Sequence, residues 1–332
     1  MLRNERVELP PAIPALCGAQ GDPFIPSPFR GGSSVNEPEF LSLLRALPLH
    51  AGARGLADDV ALLGNHVLTT DLIVEGVHFL PEDSPEDVAW KLVAVNLSDL
   101  AAKGAKPDGV LLGYPLGDSS WDRRFVIGLG AVLAEFACPL FGGDTVRLPQ
   151  KSPRFLSLTA IGTSAAVPAR SGAEAGDSLW VTGTIGDAGA GLSIARGAAG
   201  PKALLARYRR PTPRLAEGQL LAPVVHAMMD VSDGLLLDAA RMAAASGLAL
   251  EVDLAAIPLS DDLQSFAGAD RSARLAAATA GDDYELLFAV PGGWQPPIPA
   301  TRIGNFATGS GLTLRDGADT VPLPSHLGYL HT

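Results

Sequence analysis

The chain has 332 residues, a length that suggests two domains, and its 47% hydrophobic and 18% charged residues are typical of a folded globular protein. Its formal net charge of −11, from 25 basic and 36 acidic side chains, would repel a phosphate backbone and disfavours nucleic acid as a partner. An acidic protein that handles phosphates needs cations.

Two cysteines, Cys17 and Cys138, are too few for a disulfide framework or a four-cysteine zinc site. No stretch reaches the roughly 18 to 20 uninterrupted apolar residues that a spanning helix requires. Prolines at 10, 11 and 14 interrupt any export signal near the N-terminus. We therefore expect a protein of the reducing cytoplasm without a membrane partner.

Residues 1–35 are rich in proline and end in a Gly-Gly-Ser-Ser segment, which predicts a tail or linker. A first domain is predicted over residues 36–167. Hydrophobic periodicity predicts its elements in this order: a helix at about 37–47, a strand at 67–74, a helix at 85–103, a strand at 109–116, a helix near 121–136 and a strand at 155–164.

The predicted helix at 85–103 has sharp boundaries, with Ser84 as a candidate cap, Pro85 at its first position and Gly104 as its stop. At 100° per residue, Asp99 falls on the apolar stripe of this helix. A carboxylate on an apolar face must be paired or bound to a metal.

A polar, glycine-containing connection at 168–177 marks the predicted domain boundary, so the second domain spans residues 168–332. Its predicted elements are a strand at 178–183, helices near 187–197, 213–228 and 235–246, and strands near 249–254 and 285–290. This mixture of helices and strands predicts an α/β (α+β) fold.

The acidic residues are clustered along the chain rather than scattered. Two carboxylates about 4 Å apart repel by about 4 kcal/mol at an effective dielectric constant near 20, so a converging set needs divalent cations or protons. Oxygen-only ligand sets favour Mg²⁺, Mn²⁺ or Ca²⁺, and Mg²⁺ usually arrives with substrate phosphates. For each single acid, a solvated turn residue or a helix cap is the alternative. The clustered acids are Asp58, Asp59, Asp71, Asp99, Asp144, Asp230, Asp233, Asp282, Asp283 and Glu285.

Two glycine-containing segments have the composition of a phosphate-binding loop. CPLFGGDTVR at 138–147 predicts an apolar strand that ends in two glycines, whose amides would approach a phosphate while Asp144 supplies oxygens. DVSDG at 230–234 precedes a helix whose first-turn amides would be free to meet an anion, with Ser232 as an added donor. An ordinary turn and an ordinary helix cap are the respective alternatives.

Four common catalytic or nucleotide-binding motifs are absent from the sequence: GxGxxG, GxxxxGK[ST], HExxH and GxSxG. Their absence leaves the dinucleotide-binding, Walker A, zinc-peptidase and α/β-hydrolase classes without support. Any nucleotide must be held in another way.

Taken in chain order, nine segments between residues 37 and 331 resemble the thiamine-monophosphate kinases, a family of the ATP-binding superfamily that also contains aminoimidazole ribonucleotide synthetase. The matching segments are DDVAL at 58–62, TTDLIVEGVHF at 69–79, AVNLSDLAAKGAKP at 94–107, GGDT at 142–145, VTGT at 181–184, RRPTPR at 209–214, DVSDGL at 230–235, GDDYEL at 281–286 and GY at 328–329.

The resemblance implies a two-domain aminoimidazole ribonucleotide synthetase-like fold, with an N-terminal domain that dimerises with a second copy. It implies transfer of the γ-phosphate of ATP to thiamine monophosphate, giving thiamine diphosphate, with several Mg²⁺ ions. The acceptor is a phosphate that is mostly ionised near neutral pH, so we assign no catalytic base.

The resemblance also assigns site residues. It implies metal ligation by Asp59, Thr69, Thr70, Asp71, Asp99, Asp144, Asp230 and Asp233, with Asp58 as a further candidate. It implies ATP contacts from Gly143, Asp144, Arg170 and Ser232, and thiamine phosphate contacts from His78, Asp282 and Tyr329.

The chain departs from the family pattern at three places. Ala57 stands where a glycine commonly precedes the acid pair, Asp282 replaces the usual glutamate, and the chain ends in His-Thr where His-Phe is common.

Two alternatives remain open. One is another enzyme of the superfamily, like selenophosphate synthetase or the hydrogenase maturation protein that dehydrates a carbamoyl group. The first would want a lysine near Cys17 and the second a C-terminal cysteine, and neither is present. The other alternative is a non-catalytic nucleotide- or Mg²⁺-binding module.

Overall fold

The computed structural model describes residues 35–149 and 152–330. Apart from Val35, the predicted tail lies outside the described residues, as do Cys17 and the C-terminal pair at 331–332. The described chain is built on two β-sheets, each covered by helices.

The first sheet has five strands in the order β1-β2-β5-β3-β4, in which only β3 and β4 run parallel. Its elements are α1 (Glu37–Arg45), β1 (Ala61–Leu63), β2 (His66–Val74), α2 (Pro85–Ala101), β3 (Lys106–Leu116), α3 (Ser119–Glu135), β4 (Leu140–Arg147) and β5 (Phe155–Thr163).

Helix α2 is the central support of this sheet. The Ser84 side chain accepts a hydrogen bond from the Asp87 amide at 3.1 Å, and Pro85 occupies the first turn, so the helix begins where the sequence predicts. Leu92 of α2 is buried together with Val110 and Leu158 of the sheet. The α2 surface is therefore almost entirely core, and polar side chains on it must find buried partners.

The second sheet has seven strands in the order β12-β11-β8-β10-β6-β9-β7, in which β11 and β8 run parallel. Its elements are β6 (Ser178–Val181), α4 (Asp187–Ala195), α5 (Lys202–Arg209), α6 (Leu215–Leu221), β7 (Ala227–Asp230), α7 (Leu235–Ser246), β8 (Ala249–Asp253), α8 (Asp261–Ala267), α9 (Arg271–Thr279), β9 (Leu286–Val290), β10 (Thr301–Ala307), β11 (Gly311–Asp316) and β12 (Asp319–Val321).

An apolar cluster joins the two units. Ala101, at the end of α2, is buried with Leu221 of α6, Met228 of β7 and Phe288 of β9. This packing fixes the C-terminal end of α2, which carries Asp99, against β7, which carries Asp230. Residues 164–177 connect the two sheets, and we propose the domain boundary there, as the sequence predicts.

Two local predictions are wrong. The predicted helix at 213–228 ends at Leu221, because Pro223 cannot continue it, and residues 227–230 instead form the buried strand β7 beside β9. Strand β4 does not end at its glycines but continues through them to Arg147. A Cβ on Gly143 would lie 1.9 Å from the Leu112 carbonyl oxygen, so the glycine permits this close strand pairing.

Among the described residues, no helix is long and apolar enough to cross a membrane.

Candidate active site

A cavity of about 580 Å³ lies between the two units. Six acidic side chains line it, against a single arginine, Arg196, so its lining is predominantly acidic. The acidic lining residues are Glu37, Asp71, Asp99, Asp230, Asp233 and Asp282. Of the predicted residues, His78, Ser232 and Tyr329 also line this cavity.

Three of the acids are held together by hydrogen bonds between elements that are far apart in the sequence. Thr69 on β2 donates to Asp99 on α2 at 2.5 Å. Ser98, the neighbour of Asp99, donates to Asp230 at the end of β7 at 2.6 Å. The Asp71 amide donates to the Asn96 side chain at 3.0 Å. Helix α2 thus joins β2 and β7, and the structure brings these predicted acids together.

The acids repel one another. Burial first, and then the charges of Asp59 and Asp233, raise the pKa of Asp71 to about 6. Burial and neighbouring carboxylates raise the pKa of Asp230 to about 8, and raise the pKa of Asp99 well above its ordinary value. Without another cation, this part of the site therefore retains protons at neutral pH.

The Asp58-Asp59 pair lies in a different environment, since cations surround it and neither residue lines the cavity. Lys103 lies 2.6 Å from Asp58 and 2.7 Å from Asp59, and Arg170 also pairs with Asp59. Burial alone would raise the pKa of Asp59, but the charges of Lys103 and Arg170 hold it at about 2. Arg54 forms a further ion pair with Asp58 at 2.9 Å.

The loop that contains Asp230, Ser232 and Asp233 is shaped by Asp238. One oxygen of the buried Asp238 carboxylate accepts from the amides of Ser232 at 3.1 Å and Asp233 at 3.0 Å. Arg241 donates to both Asp233 and Asp238. These two loop amides are therefore occupied, and an anion would have to use the Ser232 hydroxyl or the first turn of α7.

The residues predicted to contact thiamine phosphate meet at one end of the cavity. The amide of Asp282 donates to the Ser232 carbonyl, and the amide of Tyr329 donates to the Asp233 carbonyl, both at 2.8 Å. Asp282 has a left-handed backbone, with φ of 70°, and its carboxylate accepts from Lys91 at 2.6 Å and from the Tyr284 hydroxyl at 3.1 Å. His78 accepts from the Val74 amide at 3.1 Å.

Asp144 and Gly143 are not brought to this cavity within one chain. Asp144 pairs with Gly113 on β3, and β5 and β3 lie between β4 and β2. Three strand spacings separate Asp144 from the strand of Asp71, which is about 14 Å. Thr70, the neighbour of Asp71, contacts the Thr159 hydroxyl on the exposed face of the sheet instead.

Sequence reasoning missed the buried residues that organise the site. Lys91, Lys103, Asn96 and Ser98 lie on or directly after the nearly apolar α2, and all four side chains are buried. The same signal that selected Asp99, a polar residue on an apolar helix face, was present at Lys91, Asn96 and Ser98. Asp238 shows the equivalent signal on α7.

The donor set fits Mg²⁺ that arrives with a nucleotide. The described residues contain no group of three His, Cys, Asp or Glu side chains arranged to hold a metal ion by themselves. Mg²⁺ usually retains several waters and binds one or two carboxylates together with substrate phosphates. Carboxylates spread along one cavity wall suit such an open site better than a closed protein cage.

Comparison with known proteins gives the family. The AIR synthase related protein family matches through its N-terminal domain over residues 57–164 and through its C-terminal domain over residues 174–316. The thiamine-monophosphate kinase of Caulobacter vibrioides is 39% identical over 322 residues, which cover 88% of this chain and 90% of that protein. The chain belongs to the thiamine-monophosphate kinase family. The Salmonella typhimurium member is 40% identical over 255 residues, covering 71% of this chain and 76% of that protein.

The solved structures agree on the fold of this kinase family. AaThiL in complex with AMPPCP and TMP matches with a TM-score of 0.80 and 31% identity, covering 90% of this chain and 97% of that chain. The hydrogenase maturation protein HypE in complex with ATP matches with a TM-score of 0.64 at 19% identity, covering 82% and 90%. The second likeness extends to the fold alone. The predicted two-domain family fold is thus confirmed.

Proposed function

We infer that the chain catalyses ATP-dependent phosphorylation of thiamine monophosphate to thiamine diphosphate. The observation that carries this inference is the acid-lined cavity between the two units, whose lining includes Asp71, Asp99 and Asp230 together with His78 and Asp282. Phosphoryl transfer needs positioning and charge neutralisation more than covalent chemistry, and this lining offers both. Membership of the kinase family supplies the substrates.

We propose that Asp71, Asp99, Asp230 and Asp233 ligate Mg²⁺. Bound there, Mg²⁺ would neutralise the phosphate oxygens between donor and acceptor. Asp99 and Asp230 would release their retained protons in this role, because a ligating carboxylate is deprotonated. None of them is needed as a base, because the acceptor phosphate is already ionised.

We propose the cytoplasm as the compartment, since ATP is available there.

On the ATP side, the proposed contacts are Gly143, Asp144, Arg170 and Ser232. Arg170 is paired with Asp59. For Arg170 to bind a phosphate and Asp59 to bind a metal, this ion pair must open. The γ-phosphate and its metal would offer each partner a replacement whose charge has the same sign, so neither Arg170 nor Asp59 would be left without a counter-charge.

On the acceptor side, Asp282 faces the cavity on a shorter side chain than the family's usual glutamate. Lys91 holds its carboxylate from within the protein, and Tyr284 holds its other oxygen. We propose that this fixed carboxylate, with His78 and the half-exposed ring of Tyr329, contacts thiamine monophosphate.

We propose a homodimer that completes the site. Strand β1 covers β2 only at residues 66–68, which leaves the edge of residues 69–74 open. Strand β4 is an outer edge and exposes Leu140, Phe141 and Val146. Unpaired edges of this kind are templates for pairing with another chain. Pairing of β4 with the open edge of β2 in a two-fold dimer would carry Asp144 of one copy to Asp71 of the other.

The test of the activity is direct. Purified protein is incubated with ATP and Mg²⁺, with and without thiamine monophosphate, while ADP and thiamine diphosphate are separated by chromatography. We expect equal amounts of both products, abolished by chelator and by Asp71→Asn. Asp262→Asn, at an exposed acid on α8, is the matched control and should retain full activity.

Other outcomes point to other functions. ADP without thiamine diphosphate would keep the ATP site and move the acceptor to another chemistry of the superfamily. No ADP at all would favour the non-catalytic binding module.

A further inference from the structure

Lys103 is a fully buried lysine that directly follows α2. Its ammonium group lies 2.6 Å from an oxygen of Asp58, 2.7 Å from an oxygen of Asp59 and 2.9 Å from the Met228 carbonyl oxygen. An ammonium has three N–H donors and no acceptor; Lys103 donates one hydrogen bond to the Met228 carbonyl and forms ion pairs with the two carboxylates.

The three oxygens belong to different acid-bearing parts of the site. Asp58 and Asp59 precede β1, while Met228 lies on β7 two residues before Asp230. Lys103 itself follows Asp99 by four residues. The lysine therefore connects the loop of the acid pair, the end of α2 and strand β7, across the contact between the two units.

Lys103 differs from the other cations around this acid pair. Arg54 and Arg170 retain 21% and 22% of their side-chain exposure, so either can move toward solvent or a ligand. The Lys103 side chain has 0% exposure and lies against protein on all sides. Of the three cations that contact Asp58 or Asp59 within the described residues, it is the one with no exposed surface.

The two acids are also used differently. One Asp58 oxygen binds Lys103 and also accepts from the Asp59 amide, and the other binds Arg54. Asp59 gives one oxygen to Lys103 and the other to Arg170. If Arg170 moves to a phosphate, only Asp59 has an oxygen released.

We propose that Lys103 is a positioning residue that serves as a built-in cation of the metal site. It fixes the Asp58-Asp59 pair and offsets one of its two negative charges before any metal arrives, and it directs the free oxygen of Asp59 toward Mg²⁺. Asp58 then has a structural role and is not a metal ligand. This inference rests on the proposed binding of Mg²⁺ to the acid cluster but not on the identity of the acceptor.

The experiment measures thermal unfolding of the purified full chain, first in chelator and then with increasing Mg²⁺ and no nucleotide. The variants are Lys103→Met, which keeps an unbranched side chain one atom shorter and removes the charge, and Lys91→Met as the matched control. Lys91 is an equally buried lysine that contacts the single acid Asp282 rather than the acid pair.

We expect Lys103→Met to lower the unfolding midpoint in chelator by roughly 5–15 °C, because one buried oxygen of each carboxylate then loses its cation. Mg²⁺ should restore most of that loss, so its stabilising effect should be at least twice that seen in the unaltered protein. Lys91→Met should also lose stability, but its response to Mg²⁺ should equal that of the unaltered protein.

If Lys103→Met does not fold, the double variant Asp58→Asn with Lys103→Met removes one uncompensated charge and should show the same enlarged Mg²⁺ response. A Lys103→Met or double-variant midpoint that responds to Mg²⁺ no more than the unaltered protein would overturn the proposal and leave Lys103 as an ordinary structural ion pair. Because no thiamine phosphate is present, failure of the kinase assay would not mimic this result.

Discussion

Asp230 and Asp59 belong to the same acidic region, yet replacing each by asparagine should change stability in opposite directions. Asp230 is buried among carboxylates, and its pKa is raised to about 8 from an ordinary value of 3.8. Asp59 is buried beside Lys103 and Arg170, and its pKa is lowered to about 2. The metal-free folded state therefore disfavours a charge on the first residue and favours a charge on the second.

The magnitudes follow from these pKa values at 1.36 kcal/mol per unit. Between the unfolded pKa of 3.8 and pH 7, the unfolded chain can ionise Asp230 while the folded protein cannot. The resulting loss of folding free energy is therefore at most about 4 kcal/mol at pH 7. Asp71 and Asp59 share in this repulsion, so we expect Asp230→Asn to stabilise the metal-free protein by about 2 kcal/mol. Asp59→Asn should destabilise it by about 2 kcal/mol.

The pH dependence separates the two effects further. Asp230 does not lower the free energy of unfolding below pH 3.8, and it lowers it increasingly as the pH rises toward 8. The stability gained by Asp230→Asn should therefore increase between pH 5 and pH 8. The charged Asp59 makes its full contribution to the free energy of unfolding above pH 3.8, and this contribution is lost only as the pH falls through about 2. The cost of losing the ion pairs of Asp59 should therefore stay constant over the same range, and relief of Asp71 and Asp230 should make the total loss in Asp59→Asn somewhat smaller toward pH 8.

The assay is thermal or urea unfolding in chelator at pH 5, 6, 7 and 8. Asp230→Asn should also lose kinase activity, so the variant gains stability as it loses function. Added Mg²⁺ should remove its advantage by stabilising the unaltered protein more. A less stable metal-free Asp230→Asn protein, or an Asp59→Asn protein as stable as the original, would refute this account of the site's charges.

Three further predictions address the dimer and the fold. Asp71→Asn and Asp144→Asn should each abolish turnover without unfolding the protein. When the two variants are mixed, half of the randomly formed dimers are mixed and each of these has one intact site, so the mixture should regain roughly one quarter of full activity. An inactive mixture would contradict a shared site. Val146→Glu on β4 places a charge on an apolar edge strand, so the variant should sediment as a monomer. Its activity should fall at least about tenfold, and an intact dimer would refute the β4 interface. Glu285→Gln should lower the free energy of unfolding by about 3 kcal/mol, since the buried carboxylate pairs with Arg207 and Arg214 at 2.6 Å; a loss below about 1 kcal/mol in urea unfolding would refute that role.

The sequence predicts elements well where local chemistry marks their ends. Helix α7 spans Leu235–Ser246, as predicted, and ends at Gly247 with φ of 68°. Helix α2 begins at Pro85 behind the Ser84 cap. Where short apolar segments lack such marks, the predictions fail, as at β7, and the strands from 301 to 321 carry no prediction at all. Their pairing depends on distant strands rather than on a local pattern.

The candidate site shows the same division. Asp71, Asp99 and Asp230 can be selected from the sequence, because each is an acid among apolar or small residues within a family motif. The cations and polar residues that hold them cannot be paired in advance. Lys103 meets the Met228 carbonyl through the packing of α2 on β7. Asp144 lies on a strand about 14 Å from the strand of Asp71 in the same chain.

We propose that the protein binds ATP and thiamine monophosphate in this acidic cavity and transfers the γ-phosphate between them. The most direct measurement uses ATP labelled at the γ-phosphate, with Mg²⁺, thiamine monophosphate and the purified chain, followed by separation of the labelled products. We expect one label in thiamine diphosphate for each ADP formed, and none after chelation. Label released as inorganic phosphate, or label that remains in ATP, would contradict it.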